Sequence, residues 1–323
     1  MDMILCDGDR KPIGIYTANI DMEIGNAEAS NDFETSTENV QFGYSIICPG
    51  TEYGGIFGQQ TKNTGSAQQT WNGLTWRGLL KQDIIIPPAG NDYRIVSGEA
   101  NTIIKNLVSD TFGGFFQVSD EDSGLNISSY QFILYTTLLE GLMDMLAAHN
   151  YRLKIWSELG KPNEPYQVYL AAVPVTKNQT EYTDNSKINV QTTDYRMGIN
   201  HLVCMGNGEL QARQRVDLYV QLDGSISQSK YYTGFDERTA YYDYGNAESL
   251  DDLIDNGAKK LQELANYQKL EIVSVEDIDL EIGDIVVGRD REHDIYIEKP
   301  VTRKILTVSS GIWTVDYQIQ GEE

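Results

Sequence analysis

The order in which strand-like and helical patterns follow one another is the feature that most limits the fold of this chain. Alternating apolar and polar residues fill residues 1–93, helical spacing enters in 94–163, strand patterns return in 164–245, and 246–323 combine one helix with further strands. Because strands and helices do not alternate regularly, a doubly wound sheet or an α/β barrel is disfavoured. We predict an α+β protein, predominantly antiparallel β, with an inserted helical α+β domain.

Three helices are expected from apolar spacing and from capping residues. The first follows Ser97, a typical N-cap, and covers residues 100–108. The second covers the apolar stripe of residues 132–146. The third follows Ser249, with Asp252 three residues further on, an approximation to a capping box.

Turn and breaker residues predict where strands and loops lie. The β-branched run at residues 84–86 predicts a short strand that stops at Pro87 and Pro88, since proline cannot donate to a strand ladder. Residues 111–128, rich in glycine, serine and aspartate, predict a loop between the first two helices.

The chain is strongly acidic, with 48 Asp and Glu against 25 Lys and Arg and a formal net charge of −23. Such a charge disfavours stable binding to nucleic acid and to anionic membrane surfaces. It is compatible with a channel past which DNA slides, because attraction would retain the polymer. Solubility is the simpler explanation of the charge.

Cysteine usage and hydropathy indicate the compartment. Cys6, Cys48 and Cys204 are an odd number without metal-ligand spacing, so free thiols in a reducing compartment are expected. We find neither a signal-peptide pattern nor an apolar run of about 20 residues, the length that a membrane span needs. The sequence therefore predicts a soluble chain made in a cytoplasm, without membrane insertion.

The segment around His201 looks like a site at first inspection. Gly206 and Gly208 lack the third glycine and the following helix of a dinucleotide loop, so a hairpin turn is predicted, followed by a strand from Glu209 onward. His201 and Cys204 are three residues apart on a probable strand, so they point to opposite faces and do not share a metal.

Other candidate chemistry is equally weak. Residues 120–124 resemble the start of a calcium loop, but the position that needs glutamate is Gln131. The tyrosine pairs 231–232 and 241–242 are interpreted as core or interface residues in preference to a ligand site. We therefore predict a non-catalytic protein without cofactor or metal, acting as a component of an assembly.

Several stretches, taken in order, resemble one protein family. The chain is similar to phage tail-hub proteins, the tail-associated or baseplate hub proteins of long-tailed phages of Gram-positive bacteria. The similarity extends from about residue 15 to residue 321 and includes GTEYGGIFG at 50–58, WRGLLKQDIIIPP at 76–88, NHLVCMGNGELQARQRVDLYV at 200–220 and IGDIVVGRD at 282–290. The residues that carry it are Asn31, Asp32, Phe33, Glu34, Arg77, Gly78, Pro87, Pro88, His201, Gly206, Gly208, Glu209, Gly283 and Asp284.

The resemblance implies an architecture and a set of partners. A homotrimer with two tube-like β-barrels per protomer would match the hexameric ring of a distal tail or tail tube protein. The first barrel would begin in residues 1–93, with residues 164–245 completing it or forming the second, and 246–323 forming a helix plus a C-terminal β domain. Further partners would be the tape-measure protein and tip, spike or fibre proteins.

The resemblance also implies a place in the virion. The protein would lie at the tail tip or baseplate after assembly in the host cytoplasm, or in a phage-derived contractile bacteriocin. Lytic activity would belong to a separate protein.

Two other functions stay open at this point. A carbohydrate-binding module would use the tyrosines together with Trp71, Trp76, Trp156 and Trp313. A cell-wall hydrolase would use a pair of the abundant carboxylates.

Overall fold

The computed structural model divides the chain into two compact units. The first unit comprises Met1–Gln191 and Glu271–Glu323, and the second comprises Thr192–Leu270. The structure describes residues 2–37, 40–65, 68–162, 164–182, 189–247, 249–273, 280–290 and 295–319. None of the helices in these ranges has the length and apolar character needed to cross a membrane. The four-segment domain division stays a prediction.

The described residues form four α-helices and twenty-two strands. The helices are α1 (Trp76–Lys81), α2 (Ala100–Phe112), α3 (Leu138–Ala147) and α4 (Leu250–Leu264). The strands are β1 (Met3–Cys6), β2 (Pro12–Tyr16), β3 (Ile20–Gly25), β4 (Asp32–Ser36), β5 (Ser45–Ile47), β6 (Gly54–Asn63), β7 (Gln68–Thr75), β8 (Ile95–Glu99), β9 (Phe116–Val118), β10 (Asn126–Gln131), β11 (Tyr151–Glu158), β12 (Gln167–Pro174), β13 (Lys177–Tyr182), β14 (Asn189–Tyr195), β15 (His201–Met205), β16 (Arg215–Val220), β17 (Ile226–Ser227), β18 (Thr239–Asp243), β19 (Tyr267–Val273), β20 (Ile285–Asp290), β21 (Ile295–Ser309) and β22 (Ile312–Ile319).

An eleven-stranded sheet forms the larger part of the first unit. Its order is β13-β20-β21-β3-β4-β7-β6-β5-β1-β2, with β22 paired to β21. All of its pairs are antiparallel except β13 with β20. The predicted antiparallel, β-rich α+β class is therefore confirmed. Within the described ranges the sheet runs from β13 to β2 and does not close on itself. The two closed barrels therefore stay a proposal.

Pairing of β3 with β21 joins the two ends of the chain. The register places Ile20 opposite Val308 and Gly25 opposite Arg303. The sheet core therefore depends on contacts between residues almost 300 positions apart in sequence, which no local pattern encodes.

One apolar core of the first unit is shared between the sheet and the helices. It contains Ile47 of β5, Trp76 of α1, Ile104 of α2, Leu142 of α3 and Val168 of β12, all nearly or fully buried. Residues from the predicted inserted segment therefore pack on the N-terminal strands, and burial of each large side chain contributes roughly 1.5–3 kcal/mol.

The first residues of α2 and α3 differ from the prediction. Ser97 lies inside β8, and Glu99 caps α2 instead, accepting hydrogen bonds from the backbone N–H groups of Asn101 and Thr102. The second helix starts after Thr137, because Tyr135 has a φ of 59° and interrupts the expected stripe. The Ser249 cap of α4 is confirmed.

Three elements were wrong or missing in the sequence-based prediction. Helix α1 was not predicted, since it spans only six residues and contains Gly78. Residues 84–86 form an isolated bridge at Ile84 and no strand. The predicted loop 111–128 contains β9 and the start of β10, because β9 finds its partner in the distant β12.

The second unit is a small sheet covered by one helix. Its strand order is β17-β16-β15-β18, and its core contains Leu202, Leu218, Leu253 and Leu261. A Cβ added at Gly257 of α4 would lie 2.6 Å from the Cys204 sulfur, so the helix approaches the sheet closely. Strands β14 and β19 form a separate two-stranded sheet.

The Glu99 cap predicts a specific pH dependence. Burial alone would raise the pKa of Glu99, but hydrogen bonds from Ser123, Asn101 and Thr102 lower it to about 2. Since the pKa is near 4.3 in an unfolded chain, the stabilisation is complete above that pH and is lost as the pH falls towards 2. We expect Glu99→Gln to lower the free energy of unfolding by about 1 kcal/mol at pH 7 and by almost nothing near pH 2.

Chemical denaturation at several pH values measures this difference. The control is Glu121→Gln, at an exposed position of the following loop. A Glu99→Gln effect that is independent of pH would contradict the role of the ionised cap.

Candidate functional site

Asn31, the first of the family-like residues, lies buried between β3, β4 and α1. Its φ is 57°, and its side chain accepts a hydrogen bond from Gly25 N (2.7 Å) and donates to Asn26 O (2.8 Å). Its carbonyl oxygen accepts hydrogen bonds from Thr75 N and Thr75 Oγ1. Asparagine tolerates the left-handed conformation, so this residue can form the turn between β3 and β4. At the same time its carbonyl oxygen binds Thr75, the residue that precedes α1.

Gly78 is required by the same junction. A Cβ at Gly78 would lie 2.2 Å from the Asn31 carbonyl oxygen. The helix therefore approaches the β3–β4 turn more closely than any side chain allows, and the two family-like residues depend on each other.

Phe33 occupies the next inward position of β4. Cβ atoms at Gly55 and Gly73 would lie 2.7 Å and 2.4 Å from its ring, and the ring meets Phe57 edge to face at 5.1 Å. Asp32 and Glu34 point to the other face. Asp32 accepts a hydrogen bond from Ser30 Oγ, and Glu34 accepts one from Asn72 Nδ2.

Arg77 forms the centre of a buried ionic cluster. Its Nη2 lies 3.0 Å from Glu52 Oε2 and donates to the Leu153 carbonyl of β11 at 3.2 Å. Lys304 Nζ lies 3.4 Å from Glu52 Oε1 and 2.8 Å from Glu281 Oε2. We call Glu52, Arg77, Glu281 and Lys304 the buried ionic cluster.

The charges of the buried ionic cluster balance one another. Burial alone would raise the pKa of Glu52, but the adjacent cations Arg77 and Lys304 lower it below its ordinary value. Burial also raises the pKa of Glu281, which is only partly offset by Lys304. The ionised form of Glu52 therefore stabilises the folded chain above its ordinary pKa, and this contribution is lost as the pH falls.

Gly283 and Asp284 form a turn that is linked to β11 by the ion pair between Asp284 and Arg152. Asp284 Oδ1 accepts hydrogen bonds from Arg152 Nε (2.8 Å) and Thr176 N (2.9 Å). Gly283 has a φ of 93°, and its N–H donates to the Val301 carbonyl. This turn therefore fixes the start of β20 against β11 and β21.

Pro87 and Pro88 follow the buried Ile85 and lie in a loop. The strand that they were predicted to stop does not form, since residues 84–86 make only an isolated bridge at Ile84. They touch none of the other family-like residues in the contacts described above.

His201 lies in the second unit between two carboxylates. Its Nδ1 is 2.8 Å from Glu237 Oε1, its Nε2 is 2.8 Å from Asp217 Oδ1, and its ring stacks on Tyr219 at 4.3 Å. When the ring carries both protons, both contacts are hydrogen bonds between opposite charges. Cys204 is buried on the opposite face, as predicted.

Gly206, Gly208 and Glu209 form a longer connection than the predicted hairpin turn. Residues 206–214 include a 3-10 turn at Leu210–Ala212, and the strand begins at Arg215 instead of Glu209. Gly208 has a φ of 111°, and its Cβ would lie 2.8 Å from Ala212 O. A strand follows this connection, so it does not form a helix N-terminus for phosphate.

The carboxylates and thiols were checked by their geometry and pKa for metal binding and for thiolate reactivity. In the part of the chain that the structure describes, no group of three or more His, Cys, Asp or Glu could hold a metal ion. Within residues 120–124, Asp120 pairs with Lys105, and Asp122 accepts a hydrogen bond from Gly124 N. Burial raises the pKa of Cys6 to about 12 and of Cys204 to about 11, which disfavours reactive thiolates.

The aromatic residues are mostly structural. Trp71 and Trp76 are buried, so they are not available to stack on a sugar. Trp156 is stacked on Tyr169 at 5.3 Å. Of one tyrosine pair, Tyr242 packs on the core of the second unit and Tyr241 is exposed, as the alternation of a strand requires.

Sequence reasoning missed three members of the buried ionic cluster, Glu52, Glu281 and Lys304. It also missed Arg152, the partner of Asp284. A signal was present for Lys304, because it occupies the same inward-facing set as Leu306 and Val308 in β21. A lysine at an inward position of an alternating strand indicates a buried partner of opposite charge.

Comparison with known proteins adds the following similarities. No family model matches the sequence, and none of the curated proteins matches it. A tail protein of Neisseria meningitidis is 12% identical, with 98% of this chain and 95% of that chain covered and a TM-score of 0.48. A prophage MuSo2 tail protein of Shewanella oneidensis (12% identity, 99% and 98% covered, TM-score 0.49) and a prophage tail protein of Listeria monocytogenes (12% identity, 100% and 95% covered, TM-score 0.49) are also similar.

The close approach of α1 predicts the effect of Gly78→Ala. Alanine favours a helix by about 1 kcal/mol over glycine, but here its Cβ collides with the Asn31 carbonyl. We expect the free energy of unfolding to fall by about 3 kcal/mol. Gly58→Ala is the control, since nothing lies within 4 Å of its Cβ, and a change below about 0.5 kcal/mol is expected there. Equal effects in denaturant titrations would contradict this account.

The buried ionic cluster predicts a large loss in Glu52→Gln. The substitution leaves two buried cations facing Glu281 alone, so the free energy of unfolding should fall by about 3–5 kcal/mol. Asp120→Asn breaks an exposed pair with Lys105 and should cost less than about 1 kcal/mol. Thermal unfolding of both variants at pH 7 checks the prediction, which fails if Glu52→Gln is as mild as Asp120→Asn.

Proposed function

We propose that this chain is a structural tail-tip or baseplate hub protein of a phage. Three copies form a homotrimer that closes the tail tube, and two β-barrels per copy match a hexameric ring of the distal tail or tail tube protein. The hub contacts the tape-measure protein and anchors tip, spike or fibre proteins around the DNA channel. The polypeptide itself is not an enzyme.

The observation that carries the proposal is the convergence of family-like residues from distant parts of the sequence. Asn31 and Gly78 meet at one close contact, while Arg77 and Asp284 belong to charged contacts that hold β11. Residues that join distant segments in this way support a framework shared with the family.

Charge placement supports a conduit for DNA without stable binding. Arg77, Arg152 and Lys304 are already paired with carboxylates inside the first unit. A net charge of −23 then disfavours retention of a polyanion. We place the protein in the virion, at the tail tip or baseplate, after assembly in the host cytoplasm.

Mass in solution and imaging test the proposal. Light scattering after size-exclusion chromatography should give three times 36.3 kDa, alone or in complex with the tube partner. Negative-stain images should show threefold particles that bind the end of a tail tube. A chain that stays monomeric in the presence of tube and distal tail proteins would contradict the hub function.

A further inference from the structure

A cluster of exposed apolar side chains lies on three neighbouring segments, namely residues 84–86, the start of β8 and residues 133–135 before α3. Its members are between 45% and 67% exposed. We call it the apolar patch, and it consists of Ile84, Ile86, Ile95, Ile133, Leu134 and Tyr135. Clusters of this kind on a folded chain mark interaction sites.

Backbone hydrogen bonds hold the three segments side by side. Ile85 N donates to Thr136 O (2.9 Å), Leu138 N donates to Asp83 O (2.8 Å), and Phe132 N donates to Arg94 O (3.0 Å). Ile85 and Phe132 are buried in the core. The apolar patch is therefore presented by a fixed backbone whose inward side chains are already packed, which reduces the entropy lost on binding.

Tyr135 adds strain at the centre of the apolar patch. Its φ is 59°, a region that bulky side chains rarely adopt, yet its side chain is exposed. The chain thus gains little packing energy from this aromatic residue. A strained backbone that the surrounding hydrogen bonds hold in place is common at positions that serve binding.

Charges around the apolar patch are mostly acidic. Residues 83–95 and 131–144 contain one arginine, Arg94, against four carboxylates. One of these, Glu140, accepts a hydrogen bond from Thr136 Oγ1 (3.0 Å), directly beside Tyr135. Burial and the negative charge of Glu140 raise the pKa of Asp144.

We propose that the apolar patch binds an apolar segment of a different protein whose flanking residues are Lys or Arg. A second copy of this chain is disfavoured at the apolar patch, because the same patch of that copy would bring the same acidic rim to it. The inference deepens the proposed function, since a tail component of this kind must bind other tail proteins.

Two synthetic peptides test the chemistry of the partner. Both have the centre Leu-Trp-Leu-Ile-Leu, and two lysines or two glutamates flank it at each end. Fluorescence anisotropy with the full chain should show binding of the lysine-flanked peptide and at least tenfold weaker binding of the glutamate-flanked one. Equal binding of both peptides, or binding of neither, would overturn the proposal.

Tyr135→Gly locates the binding site. Glycine adopts a positive φ without penalty, so the Tm should stay the same or rise, while the Kd of the lysine-flanked peptide rises at least tenfold. Ile312→Ser removes an equally exposed residue elsewhere and should leave the Kd unchanged. A Kd that Tyr135→Gly does not alter would overturn the assignment to this patch.

The same variants separate this inference from the hub function. If Tyr135→Gly abolishes self-association in sedimentation, the occupant is a second copy, and the proposed basic partner is wrong. If the chain stays monomeric in the presence of tube and distal tail proteins but the peptide results hold, the hub proposal fails and the apolar patch stands.

Discussion

The structure of the first unit depends on three buried charges and one partly buried charge that balance only when distant parts of the chain come together. Glu52 lies between Arg77 of α1 and Lys304 of β21, and Glu281 completes the set. Leaving any one of these ions buried without its partner costs several kcal/mol. The N-terminal strands, α1 and the C-terminal strand β21 are thus fixed together, and the Arg77 contact with Leu153 O extends this constraint to β11.

This arrangement gives several of the family-like residues a structural role. Asn31, Phe33 and Gly78 are used for a close contact between a turn, a strand and a helix, and Arg77 and Asp284 are used for ion pairs. Their polar atoms are satisfied internally, so substrates would find no free donors or nucleophiles there.

Local patterns predicted the elements that depend on local physics. The Ser249 cap of α4 and the opposite faces of His201 and Cys204 followed from helix and strand periodicity. The Glu99 cap was missed because residue preference favours Ser97, whereas β8 continues past Ser97 and α2 begins directly after Glu99. Short elements such as β9, together with the ion pairs of Lys304, form only with partners far away in sequence, so periodicity carries little information about them.

Hydrogen exchange of Lys304→Met at pH 7 tests the central claim most directly. If the buried ionic cluster fixes the three parts of the first unit together, amide protection should fall in β21, α1 and β11 to a similar extent. Protection in α4 of the second unit should not change, which provides an internal control. Loss of protection confined to β21 and its neighbour β22, with α1 and β11 unchanged, would contradict the account.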